Sequence, residues 1–99
     1  MMVKSLTQGG SLIKPPRSEK IKSGLVILKK GEEVGEHITD NREEVIIILQ
    51  GEALVILENQ KRMVKENNLI FIPKDKKHNL KNKSNKILKY IYVVSLLNK

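Results

Sequence analysis

From Leu25 onward the chain is a series of short apolar runs, each cut off by turn-forming residues after a few positions. Leu25 to Leu28, Val45 to Leu49 and Ala53 to Leu57 are the clearest. Arg62 to Lys65, Leu69 to Pro73, a short piece around His78 to Leu80, and Ile87 to Leu97 complete the series. β-Branched residues dominate Val45-Ile46-Ile47-Ile48-Leu49, which favours strand because they lose little freedom on a pleated surface. The runs recur roughly every 8 to 12 residues, the spacing of an antiparallel sandwich or barrel. No stretch carries a convincing helical period. Several runs are apolar at consecutive positions, which predicts burial on both faces, as when two sheets or two subunits pack together.

The connections carry their own signals. Gly51 follows Gln50 and precedes Glu52, and its freedom from a side chain suits a tight reversal there. Glu58 to Lys61 reads as the next turn. A turn through Asp40-Asn41-Arg42 is expected to bring Glu44 back beside His37 and Thr39 on a neighbouring strand. The first 24 residues read differently. Gly9-Gly10 and Pro15-Pro16 interrupt any regular element, and polar residues dominate. Residues 1–24 are therefore expected to be an arm, either unstructured or lying along a sheet edge of this or a second subunit. Residues 25–99 are expected to form a single domain.

A chain of 99 residues holds one modest core, which pairing with a second copy would supplement. The absence of cysteine excludes disulfides and thiolate metal sites. No run approaches the roughly 20 apolar residues of a membrane span. The N-terminal residues contain no signal-peptide core. A cytoplasmic protein with no membrane partner is the expectation. The net charge of +8, from 19 Lys+Arg against 11 Asp+Glu, raises the question of nucleic acid. The lysines, however, are spread along the whole chain. One Phe and two Tyr are too few for a base-stacking platform, and no recognition helix is in sight, so nucleic acid is not expected.

The chemistry concentrates around the two histidines, His37 and His78. Side chains alternate along a strand, so His37 and Thr39 share a face, and Glu43 points away from the face that Glu44 takes. Imidazole and carboxylate are suitable ligands for a divalent transition metal, and two His plus one carboxylate leave coordination positions open. Simpler roles stand beside this one. The histidines can serve as hydrogen-bonded interior residues, and Glu44 can pair with Arg42 or a lysine. Gly31 and Gly51 suit turns, Pro73 a strand end, and Asn82 the fixing of a loop.

Gly31-x5-His37-x-Thr39-x4-Glu44-x6-Gly51 resembles the first conserved motif of the cupins, G-x5-H-x-H-x(3,4)-E-x6-G. Asn67-x5-Pro73-x-Asp75-x2-His78-x3-Asn82 resembles the second, G-x5-P-x-G-x2-H-x3-N. The likeness spans roughly residues 24–97 and implies an all-β fold, a double-stranded β-helix or jelly-roll barrel of two antiparallel sheets. It places His37, Glu44 and His78 at three of the family's four metal-ligand positions. Thr39 stands at the fourth, where cupins usually have histidine, and a neutral hydroxyl is the poorer ligand. Asn67 and Asp75 replace glycines, and both tolerate a left-handed backbone better than other side chains do.

Two functions follow from the resemblance. One is a metal-dependent barrel, holding Fe, Mn, Ni or Zn and a small organic ligand such as a sugar derivative or oxygenated acid, with oxygenase or isomerase chemistry in reach. The other is a non-catalytic binding or sensing module that has lost its metal. No catalytic acid or base is identifiable and no organic cofactor is implied. A homodimer is expected in either case.

Overall fold

In the computed structural model, which describes residues 1–97, nine strands and no helix make up the chain's regular structure. Asn98 and Lys99, the last two residues of the expected domain, lie outside the described residues. The strands are β1 (Gly10–Ile13), β2 (Ile21–Leu28), β3 (His37–Ile38), β4 (Arg42–Gln50), β5 (Glu52–Leu57), β6 (Gln60–Lys65), β7 (Leu69–Ile72), β8 (Lys77–Lys81) and β9 (Leu88–Leu96). They form a five-stranded sheet of order β1-β2-β9-β4-β7 and a four-stranded sheet of order β3-β8-β5-β6. Every pairing is antiparallel. The expected two-sheet, all-β architecture is the one observed. Among the described residues no helix is long and apolar enough to cross a membrane.

The two sheets face each other across a core of Leu28, Ile46, Ile48, Ala53, Val55, Ile72, Leu80, Leu88 and Tyr90. The β4 run shows how the sequence builds it. Glu44, Ile46 and Ile48 point inward and are buried, whereas Val45, Ile47 and Leu49 point outward. Burial on both faces is therefore not achieved within one chain. Ile47, Leu69 and Phe71 remain 37%, 62% and 50% exposed on the outer side of the five-stranded sheet.

Gly51 acts differently from the expected reversal. β4 and β5 do not pair; the chain turns a corner at Gly51 and passes from one sheet to the other. Its φ is 84°, and a Cβ there would lie 2.4 Å from the Ile87 carbonyl oxygen. Glycine is needed for both the conformation and the close approach. Asn67 and Asp75 take positive φ values of 66° and 61°, as expected for residues at family glycine positions. β7 ends just before Pro73.

The chain upstream of Leu25 is also partly strand. β1 lies along the free edge of β2 in the same sheet, and β2 begins at Ile21, across the expected boundary between residues 24 and 25. The apolar run alone underestimated β2, because Lys22, Ser23 and Gly24 hide it from a hydropathy reading. Gly24 sits directly beneath Tyr92, where an added Cβ would lie 2.5 Å from the phenol oxygen. The missing side chain leaves the Tyr92 ring room against the sheet.

Candidate metal centre

His37 and His78 are opposite each other in the β3–β8 ladder. Directly opposed side chains on one sheet face are neighbours, and the two imidazoles have centroids 4.2 Å apart. Glu44 comes from the other sheet. The turn through Asn41 does not return the chain beside β3 but carries it across the barrel, since β4 pairs with β7 and β9. This corrects the expectation of a neighbouring strand, yet the carboxylate still arrives, facing the histidines across the interior. One donor atom each from His37, Glu44 and His78 lie within 4.8 Å of one another. Two ligands about 2.1 Å from one ion span roughly 3 to 4 Å, so the group needs only a small contraction to close on a cation.

The imidazoles are oriented from behind. His37 Nδ1 is 2.9 Å from the Gly35 carbonyl oxygen and His78 Nδ1 is 3.1 Å from that of Lys76. A carbonyl only accepts, so each Nδ1 donates, leaving Nε2 as the outward-facing atom, the arrangement that commonly orients metal-bound histidine. His78 Nε2 lies 3.2 Å from Glu44 Oε1 and 3.5 Å from Thr39 Oγ1. A neutral His78 with its proton on Nδ1 would point a lone pair at a carboxylate. Either a second proton or a metal cation resolves that repulsion. Burial disfavours the imidazolium, but hydrogen bonds to Glu44 and to the Lys76 carbonyl, with the Glu44 charge, outweigh it and raise the His78 pKa above the usual histidine value.

The remaining sequence candidates are placed as follows. Thr39 is buried beside His78. Glu43 is exposed, on the opposite face from Glu44. Among the described residues Glu44 pairs with His78 and not with Arg42 or a lysine. Buried Asn82 fixes a loop: its Nδ2 donates to the carbonyls of Leu28 and Lys86, and its Oδ1 accepts from Ser84 N and Oγ. Asp75 Oδ1 accepts from Asn41 N, and Asp75 N donates to the Thr39 carbonyl, which anchors the segment between β3 and β4.

The site opens into a cavity of about 510 Å³. Val26, Val34, Ile38 and Leu80 supply apolar wall, and Lys22, Asp40, Arg42, Tyr90 and Tyr92 supply polar groups. The sequence reading missed these last five. Arg42 was within reach of it, because it lies two residues before Glu44 and shares its face. Lys22 was hidden in the supposed arm. Burial first, and then the charges of Glu44 and Tyr92, push the Tyr90 phenol far up, so it stays protonated and offers a hydrogen-bond donor.

Residues 24–94 match the family described as Cupin domain. The chain belongs to the cupins. This cupin's fold recurs widely among solved structures, at low sequence identity. A protein from Thermus thermophilus superposes with a TM-score of 0.84 at 20% identity, over 99% of this chain and 100% of that one. An RmlC-like cupin family protein from Methanocaldococcus jannaschii gives 0.80 at 24%, over 97% and 86%. A predicted oxalate decarboxylase from Thermotoga maritima gives 0.78 at 20%, over 97% and 100%. Comparison with curated proteins finds no match.

Proposed function

We propose that this cupin binds one divalent transition metal, Fe, Mn, Ni or Zn, through His37 Nε2, Glu44 and His78 Nε2, and takes a small oxygenated organic ligand in the adjoining cavity. The observation that carries the reading is the orientation of the imidazoles, both held at Nδ1 by backbone carbonyls with Nε2 left towards a buried carboxylate. The donor set of two nitrogens and one carboxylate suits such an ion and leaves positions open for water and ligand. Bound there, the metal would supply Lewis acidity or activate oxygen. The chain's own residues do the rest. Val26, Val34 and Ile38 exclude water from the ligand's apolar side. Tyr90 offers a protonated hydroxyl. Glu44 compensates the cation's charge in a buried setting. The likeness to a predicted oxalate decarboxylase supports an organic acid as ligand.

A specific feature favours a second reading, a binding module without metal. His78 and Glu44 form a buried pair that satisfies itself when the imidazole is protonated, and the Thr39 hydroxyl beside His78 is a poor ligand where the cupin motif has histidine. Elemental analysis of untagged full-length protein after incubation with each ion decides between them. Near-stoichiometric metal is expected, and Thr39→His should raise affinity about tenfold or more by adding an imidazole ligand. No uptake of any of the four ions would overturn the metal reading and leave the binding module.

We also propose a homodimer formed through the outer face of the five-stranded sheet. Phe71, Val45 and Val93 form one cross-strand row there, and Leu69, Ile47 and Ile91 the next. Such an apolar surface favours association over exposure to water. The chain should behave as a dimer in light scattering, and an Ile47→Glu/Phe71→Glu variant as a monomer. A monomeric parent protein at micromolar concentration would refute the interface.

A further inference from the structure

Two cations on the cavity wall have no role in the metal site. Lys22 on β2 shares the inward face with Gly24 and Val26, and Arg42 on β4 shares it with Glu44 and Ile46. The register runs Lys22↔Val94↔Glu44 across β2, β9 and β4, and Arg42 pairs with Leu96 one step nearer the mouth. At about 4.8 Å between strands and 3.4 Å per residue, the Lys22 backbone lies roughly 10 Å across the sheet from that of Glu44, and the Arg42 backbone roughly 7 Å along it. Both residues thus stand on the sheet that carries Glu44 and line the cavity into which the metal site opens, with Arg42 exposed at its mouth. Among the described residues neither makes an ion pair; the three pairs present involve Lys77, His78 and Lys81. Lys22 is half-buried. A cation held against an apolar wall without a counter-charge is costly, and an anionic group from a ligand relieves that cost. Asp40, the other carboxylate on this wall besides Glu44, is exposed at the rim.

We infer that Lys22 and Arg42 form an anion clamp at the cavity mouth, selecting a small dicarboxylic acid whose far carboxylate they hold while its near end meets the His37–Glu44–His78 group. The inference rests on the proposed metal-dependent function and narrows its ligand to a small doubly charged acid. Arg42 supplies a planar, bidentate donor for a carboxylate, and Lys22 a compact charge from β2, two strands away in the same sheet. The clamp discriminates by charge at the far end, so a hydroxy acid with one carboxylate loses its contacts.

The test is calorimetric titration of the metal-loaded full chain with malate and with lactate, which share a hydroxy-acid end and differ by one carboxylate. Malate should bind at least about tenfold more tightly than lactate, with an advantage that shrinks as salt is added. In a Lys22→Gln/Arg42→Gln variant that advantage should vanish, while metal content and melting temperature stay at the parent's values and report an intact barrel. Equal binding of the two acids, binding of neither, or an undiminished preference for malate in the variant overturns the clamp. Metal content is read on the same samples. If the parent protein takes up no metal, the metal reading fails by itself, and the malate titration repeated on that protein still decides the clamp by whether the double variant weakens it.

Discussion

His78→Ala is expected to lose bound metal, by at least about a hundredfold in affinity, and to lose stability even without metal. The first effect follows from deleting one of only three ligands, since removing even a partner behind a ligand commonly costs about 10- to 100-fold. The second follows from burial. His78 is 1% exposed and its imidazole is the hydrogen-bonding and charge partner of the buried Glu44 carboxylate. Truncation opens a void and strands that carboxylate, a loss of about 3 kcal/mol in chelator. A domain of this size then melts about 12 to 24 °C lower. His37→Ala is the informative companion. Its ring is solvent-exposed, so the variant should also lose metal yet stay within about 0.5 kcal/mol of the parent in chelator. Metal content by elemental analysis and melting by circular dichroism measure both quantities. A His37→Ala protein that holds metal as well as the parent would show that the ion sits elsewhere.

Gly51→Ala should be among the most destabilising single-methyl additions in the chain. The φ of 84° costs an alanine about 1 to 2 kcal/mol by itself. The new Cβ would also meet the Ile87 carbonyl oxygen at 2.4 Å and Leu88 Cα at 3.2 Å. These are backbone atoms at the start of β9, which cannot move without disturbing the central strand of the five-stranded sheet. A total of about 3 to 4 kcal/mol is expected, a large share of the roughly 5 to 15 kcal/mol that holds a typical domain together. Gly31→Ala provides the control. Gly31 has a φ of 81° but nothing within 4 Å of its would-be Cβ, so only the conformational part, about 1 to 2 kcal/mol, should be lost. Denaturant titration of the two variants separates strain from close approach. Equal losses would mean that the corner at Gly51 is looser than its contacts indicate.

The positions of most strands were legible because strand formation here is a local matter. β-Branched clusters, period-two polarity and turn residues each act over a few positions, and β4, β5, β7 and β9 fall on the runs that carry them. Lys22 to Gly24 broke that rule. The strand there is held by pairing with β9 along its whole length, and its inward positions are a cavity lysine and the glycine that makes room for Tyr92. Neither residue looks like strand to a hydropathy reading.

The candidate site divides in the same way. Residue type pointed to His37, Glu44 and His78, because the chemistry of a metal site limits which side chains can compose it, and the resemblance to the cupin motifs set Thr39 beside them. Their convergence is a tertiary fact. Pairing β3 with β8 sets the imidazoles side by side, and packing one sheet on the other brings Glu44 to them from across the barrel. The carbonyls of Gly35 and Lys76 fix which ring nitrogen faces the site. Lys22 and Arg42 join the same cavity wall only through the β2–β9–β4 register. The sequence alone determined the β-rich character, the identity of the ligand-type side chains and the turns that need a left-handed residue, all of which depend on short-range sterics and intrinsic chemistry. Which strands pair, what faces the cavity and how charge is distributed around it were decided by long-range packing, because residues far apart in the chain, such as His78 and Glu44, meet only when the two sheets close on one another.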